Sequence, residues 1–332
     1  MTLGRRQAVQ LLAGAGAAAL LPAACRRSAE VEGPPTLGLL QFVRAQPPDV
    51  TREGFLEGLA RGGFGPAQGV RVLQKSAGGS MATAHRQVEA LIRQRVRMLV
   101  AVGTPALQAC LQQAPHTLPV VFCYCSNPWG AGAGRSFGQH RRNVTGTVST
   151  TPVAAQLELV RQLQPELQRL GLIYDPAQAN ASFEAELLRS EVHEWNLSVE
   201  AEPVTGPAEV AQAAQQLISR GVEAFIKVGD YATIQAFPQL AAAALRARLP
   251  VYSMDAADIN VPGCLAVVGW DPRSDGLQAA GLAVKVLRGA SPANLPFEQA
   301  RDQLLLLNAL TARRLGIALP ASVRARADRV VG

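Results

Sequence analysis

Histidine and cysteine are scarce in this sequence, four and five residues among 332, and their placement excludes most metal chemistry. Cys123 and Cys125 form one Cys-x-Cys pair, while His85, His116, His140 and His193 show no ligand spacing near it. A structural metal site needs more ligands than such a pair supplies. The cysteines are also too sparse for a disulfide scaffold. Cys110, Cys123, Cys125 and Cys264 read as buried free thiols, with Cys123 and Cys125 on one face of a strand because side chains two residues apart point the same way. Aromatic residues make up only 5% and, despite a formal charge of +7, the basic residues are scattered without a Lys/Arg-rich run. Nucleic acid is therefore not an expected partner. Familiar catalytic signatures are missing too: no Walker A segment, no G-x-S-x-G elbow, no H-E-x-x-H, and no G-x-G-x-x-G opening a helix after the first strand. The glycines of Gly130–Gly134 lack the Lys-Ser/Thr of a phosphate loop and read as a flexible binding loop. No catalytic residue, metal or cofactor is assigned.

The first thirty residues are of a different character from the remainder. "MTLGRRQAVQLLAGAGAAALLPAACRR" carries basic residues at Arg5 and Arg6, an apolar stretch from Ala8 to Leu21, and a small-residue Ala-Ala-Cys end. That stretch falls short of the roughly 20 residues needed to span a bilayer, so residues 1–30 read as an export signal rather than an anchor. The paired arginines resemble a twin-arginine signal, and Cys25 after Ala23 and Ala24 resembles a lipobox cysteine, with Pro22 where that motif usually has Leu. The expected location is periplasmic or cell-surface, with a lipid tether at Cys25.

With 48% hydrophobic residues the rest of the chain can bury a sizeable core, and its length favours two domains over one. Apolar runs alternate with helix-length segments: "TLGLLQFV", "VRVLQ", "RMLVAV" and "LPVVFCY" in a first series, then "LGLIYD", "LSVEAEPV", "VEAFIKVG" and "LPVYSMD" in a second. This order predicts βαβ units in parallel sheets, hence an α/β fold of two doubly wound lobes. The strand "CLAVVGW", a helix over about Ser274 to Leu287 and the late run "QLLLLN" are too few for a third domain. They are expected to cross back to the first lobe. Lobe 1 is thus assigned residues 36–148 and about 271–308, and lobe 2 residues 149–270 and about 309–332. The chain then passes between lobes several times, a geometry suited to hinge closure.

Ligands of open α/β sheets bind beyond the carboxyl ends of the strands. Gln41 and Phe42 stand there in the first series, as do Thr104, Pro105 and Ala106, then Ser126, Asn127 and Trp129. In the second series the same places hold Asp175, Gly229-Asp230-Tyr231 and Met254-Asp255. Each polar residue also has a plain role as a helix cap; Thr104 in particular is expected to cap the helix that Pro105 begins. The distribution is asymmetric, however. The Thr104 hydroxyl and the N–H groups of Ala106 and Leu107 would favour an anion in lobe 1, whereas carboxylates cluster in lobe 2. A zwitterion held between the lobes fits that asymmetry, its carboxylate at a helix N-terminus and its ammonium against an Asp. Phe42, Trp129, Tyr231 or Trp270 would cover its apolar part.

The ordered fragments "AGGSMATAHRQVEALI", "MLVAVGTPALQA", "LPVVFCYCSNPWGAG", "NVTGTVSTTPVAAQLELVRQLQP", "LGLIYDPAQANAS", "GVEAFIKVGDYAT" and "LPVYSMDAAD" resemble the ABC-transporter substrate-binding proteins, the family that includes tryptophan/phenylalanine-binding lipoproteins. The resemblance runs over about Leu37 to Pro320. It implies a type I periplasmic-binding-protein fold, a small, amino-acid-like solute and delivery to a membrane permease by a monomer. By position, the family's Thr-Pro-Ala is Thr104-Pro105-Ala106 here, its loop Asn is Asn180, and its aspartates after later strands are Asp230 and Asp255. Its Thr-Asp-Pro is Ser126-Asn127-Pro128, which loses a carboxylate, and Ser80 stands where many relatives have Asp. An extracytoplasmic sensor with the same fold is the alternative reading, and a hydrolase-type enzyme a more distant one.

Overall fold

The computed structural model describes residues 34–332. The export signal and Cys25 lie outside the described residues. In chain order the elements of the first series are β1 (Thr36–Gln41), α1 (Gln46–Arg61), β2 (Arg71–Ser76), α2 (Met81–Arg93), β3 (Met98–Val102), α3 (Thr104–Gln113), β4 (Val120–Cys125) and β5 (Val144–Val148). The second series comprises α4 (Val153–Leu163), β6 (Arg169–Tyr174), α5 (Ala179–Glu191), β7 (Ser198–Pro203), α6 (Val210–Ser219), β8 (Ala224–Ile226), α7 (Tyr231–Gln235), α8 (Phe237–Arg246), β9 (Val251–Ser253) and β10 (Cys264–Trp270). Then come α9 (Pro272–Leu287), β11 (Glu298–Gln299), β12 (Gln303–Asn308), α10 (Ala309–Leu315), α11 (Ala321–Arg326) and β13 (Arg329–Val331).

Two sheets result. The first runs β11-β5-β4-β3-β1-β2 and the second β13-β12-β10-β9-β8-β6-β7. Every neighbouring pair is parallel except β10 with β12. Helices cover both faces of each sheet, which is why a strand such as "MLVAV" is apolar throughout and fully buried. The α/β class with two parallel-dominant sheets is thus as expected. Of the late pieces expected to cross back, the strand "CLAVVGW" and the run "QLLLLN" are a correction: they form β10 and β12, paired antiparallel in the second sheet, with Leu306 and Leu307 buried there. Four consecutive leucines fit any sheet covered on both faces, so their pattern does not say which sheet they join. The short β11 is what returns to the first sheet.

The chain consequently passes between sheets at residues 149–152, at Asp271 and at residues 300–302. These crossings are stitched to the sheets and to each other: Ser149 N donates to Cys125 O (2.9 Å), Ala300 N to Val148 O (2.8 Å) and Asp271 N to Asp302 O (2.8 Å).

Local chemistry corrects two further expectations. Gly103, with φ of 102°, is the N-cap of α3, and Thr104 and Pro105 form its first turn. The Thr104 side chain is thereby freed to face Cys125 Sγ at 3.4 Å and to accept from Asn127 N at 3.3 Å. Leu107 N is not free either, since it donates to Gly103 O (3.0 Å). Cys123 and Cys125, expected on one face, belong to different core clusters. Tyr124 between them has a φ of 50°, and the β4–β5 register shifts there, so alternation breaks. All four cysteines of the described residues are buried and free, and burial pushes the Cys110 thiol up to about 12.

Helix α9 docks on α1 through small residues. A Cβ on Gly276 would be driven into Thr51 O, and one on Gly54 into Arg273 O. Gly276→Ala should therefore cost about 1–3 kcal/mol through overpacking. On the same helix the exposed Gly281 has nothing within 4 Å, so Gly281→Ala should raise stability by up to about 1 kcal/mol through helix propensity. Urea denaturation of both variants checks the contrast, and equal effects would show that the α1–α9 contact is not tight.

Candidate functional site

The carboxyl ends of β1, β3 and β4 face those of β6, β8 and β9 across a cleft of about 770 Å³, its open mouth included. Phe42, Val43, Pro47, Pro48, Val102 and Pro105 give it apolar surface on the first-lobe side, and both lobes contribute hydroxyl, amide or carboxylate groups.

The lobes touch around this space. Tyr124 Oη donates to Asp255 Oδ1 (2.8 Å), Asn127 Nδ2 to Ala179 O (2.9 Å) and Gln235 Nε2 to Arg44 O (3.2 Å). The Tyr231 ring lies against Gly79, where a Cβ would collide with it, and meets Phe42 edge-on at 6.4 Å between centroids. The left-handed backbone at Tyr124 aims its side chain at the second lobe, and its amide is held by Asp275 Oδ2 at 2.7 Å.

Of the residues singled out from sequence, Phe42, Thr104, Pro105, Ser126, Asn180, Gly229, Asp230, Tyr231, Met254, Asp255 and Trp270 line the cleft. Five do not: Asp175, Trp129, which packs against Phe137 and Phe297 instead, and the three that follow. Gln41 points its amide at Val43 O (2.7 Å) and Asp49 Oδ1 (2.9 Å) beside a separate surface depression. Ala106 is fully buried in the core. Asn127 caps the following turn by accepting from Gly130 N (2.8 Å) while bridging to Ala179.

The aspartates of the second lobe are in the expected place, but their oxygens are occupied. Asp230 Oδ1 accepts from Thr233 N and Thr233 Oγ1 (both 2.6 Å), and Oδ2 from Asp175 N (2.8 Å), so it is the N-cap of α7. Asp255 accepts from Tyr124 through Oδ1 and from Lys227 through Oδ2. Lys227 is fully buried and also pairs with Asp258 at 2.8 Å. Burial pulls the Lys227 pKa down, but the two aspartates push it up by more, so the ammonium stays charged.

Two cleft carboxylates were not anticipated. Glu184 on α5 is fully buried; its Oε2 accepts from Thr151 Oγ1 (2.7 Å) and Gly229 N (2.9 Å), while Oε1 has no partner. Burial raises its pKa, against the opposing pull of the Gly229 amide, the Thr151 hydroxyl, the Ser126 hydroxyl and the Thr151 amide. Asp275, in the first turn of α9, holds the Tyr124 amide with Oδ2 and leaves Oδ1 unpartnered. In sequence, Glu184 looks like Glu186 beside it, and Asp275 like a helix-start residue; nothing local separates a buried carboxylate from a solvated one. Ser149 and Gln178 add further polar groups.

The family model described as ABC transporter substrate binding protein matches residues 36–331. Among solved structures, a conserved domain protein from Vibrio cholerae is 28% identical with a TM-score of 0.85, covering 90% of this chain and 99% of that one. The ABC domain from Streptococcus pneumonia in complex with L-Trp is 27% identical with a TM-score of 0.84, at the same coverage. A tyrosine-binding protein from Clostridioides difficile (strain R20291) is 23% identical over 279 residues, 84% of this chain and 80% of that protein. The fold is that of the type I periplasmic binding proteins.

Burial pushes the Asp275 carboxyl up to about 6, against the Thr147 hydroxyl and the Tyr124 amide. Folding therefore holds this proton more tightly than the unfolded chain does. Its stabilising contribution is complete below the ordinary Asp range and is lost as pH rises through about 6. Asp275→Asn keeps an acceptor for Tyr124 N without a buried charge. In the ligand-free protein it should gain about 1–3 kcal/mol at pH 7.5 and little at pH 4. Denaturation at both pH values measures this, and a gain independent of pH would contradict the ionisation argument.

Proposed function

This chain belongs to the family of ABC transporter substrate-binding proteins, and from that premise we propose that it is an extracytoplasmic receptor that closes two lobes on one small, amino-acid-like solute and hands it unaltered to a membrane permease. The cleft itself supports this reading: apolar side chains suited to an aromatic or aliphatic group, among them Phe42, Pro105, Met254 and Trp270, line it together with hydroxyl, amide and carboxylate groups. Phe42 and Tyr231 would cover the apolar part of the solute, and Thr104, Ser126 and Asn180 would bond its polar end. Asp230 and Asp255 shape the cleft at second hand, through the cap of α7 and the Tyr124 contact. The L-Trp complex of the relative in Streptococcus pneumonia and the tyrosine-binding relative in Clostridioides difficile favour an aromatic amino acid. Residues 1–30 would export the chain and Cys25 would tether it by lipid, which suits a family that works outside the cytoplasm; no helix among the described residues is long and apolar enough to cross a membrane.

Closure follows from differential contacts. A solute shifts an open–closed equilibrium only by binding the closed form better. The Tyr124–Asp255 bond crosses the cleft, so it contributes to that form and is given up when the lobes separate. The test is titration calorimetry of the chain from about Ala29 with L-tryptophan and L-tyrosine, combined with small-angle scattering. Saturable binding with a compact bound form is expected; conversion of either compound would favour an enzyme instead. Tyr124→Phe removes only the bridging hydroxyl, and should weaken binding about tenfold, equivalent to about 1.4 kcal/mol. An unchanged Kd would show that this bond plays no part in closure.

A further inference from the structure

We propose that Glu184 is the acceptor for a protonated amine of the bound solute, so that the cleft takes amines and amino acids in preference to the same molecules without the amine. The inference rests on the reading of the cleft as a solute site and specifies what that site selects. Four carboxylates line the cleft, Glu184, Asp230, Asp255 and Asp275, and no Lys, Arg or His is among the described residues that line it. Lys227, behind the wall, is shared by Asp255 and Asp258 and so offsets only one of that pair. The field inside is therefore negative and draws cations.

The bonding of each carboxylate then distinguishes among the four. Asp230 and Asp255 have both oxygens occupied by protein donors. Glu184 and Asp275 each keep one oxygen without a partner. An unsatisfied buried acceptor is costly unless a donor arrives, and an ammonium is the strongest such donor. Of the two, Glu184 is better prepared. Two donors from different segments, the Thr151 hydroxyl and the Gly229 amide, hold its Oε2 and favour the carboxylate form. They fix the orientation of the remaining oxygen. Asp275 is bound to the β4 backbone through Tyr124 N and acts chiefly by positioning Tyr124. The first lobe offers an anion less than its sequence suggests, since Leu107 N is already bonded within α3. Recognition thus leans on the amine end.

Titration calorimetry with matched pairs tests this: L-tryptophan against indole-3-propionate, L-tyrosine against 3-(4-hydroxyphenyl)propionate, and tryptamine as an amine without carboxylate, with a polyol panel as the amine-free control. The parent should bind the amine of each pair at least about thirtyfold more tightly. Glu184→Gln, isosteric and uncharged, should lose about thirtyfold in amine affinity and leave the deaminated acids within about threefold. Asp275→Asn should keep the preference for amines. Should the glutamine variant fail to fold, Glu184→Asp withdraws the oxygen by one methylene at constant charge and should show the same selective loss. A glutamine variant that still discriminates within each pair overturns the proposal. Binding of a deaminated acid or a polyol with no response to any amine also overturns it, while leaving the solute-receptor reading intact; binding of nothing in the panel counts against both.

Discussion

A lysine ammonium shut away from water organises the second-lobe side of the cleft. Lys227 is fully buried, and a charge in that position is tolerable only when paired and hydrogen-bonded. Asp255 and Asp258 supply the pairing, and Ser253 Oγ braces Asp258 at 2.6 Å. The segments after β8 and β9 are thereby locked together. Removing one partner would strand a charge, so the cluster fixes where Asp255 sits more firmly than packing alone. Asp255 in turn meets Tyr124, whose unusual backbone is tied by Asp275 to α9, and α9 is seated against α1 by glycines. One chain of contacts thus runs from the interior of the second lobe into the core of the first.

The cleft is carboxylate-rich by the same logic. Each acid lining the cleft does different work because its surroundings differ: Asp230 caps α7, Asp255 is neutralised by a lysine, Asp275 holds a bulged strand, and Glu184 is braced by Thr151 and Gly229. An unpartnered buried oxygen carries a penalty in stability. Glu184 and Asp275 both carry it.

The architecture was largely legible in the sequence, because strands buried on both faces and helices between them leave a periodicity that survives without tertiary information. Strand ends, and with them Phe42, Thr104, Ser126, Asp230, Tyr231 and Asp255, followed from that periodicity, whereas Asn180 came from the family resemblance. What the pattern could not carry was connectivity between residues far apart. Gln303–Asn308 reads as a strand but its partner is chosen by space across the second sheet. Thr104 beside Pro105 looks like a cap until Gly103, free to adopt a positive φ, takes that role. Cys123 and Cys125 would share a face if alternation held, and one left-handed residue between them undoes it. Glu184 could not be told from Glu186 because burial depends on Thr151 and Gly229, which are distant in the chain.

Three passages of chain between the sheets, two of them bonded to each other through Asp271 and Asp302, also bear on thermodynamics. A single flexible tether would let the halves wander through many relative orientations, all of which must be surrendered each time they meet. Parallel tethers restrict the wandering to something near one rotational coordinate, so little entropy is forfeited on meeting. Under the proposed closure, such pre-restriction would let a handful of hydrogen bonds tip the balance, and would let a molecule of modest size command the motion of the whole body.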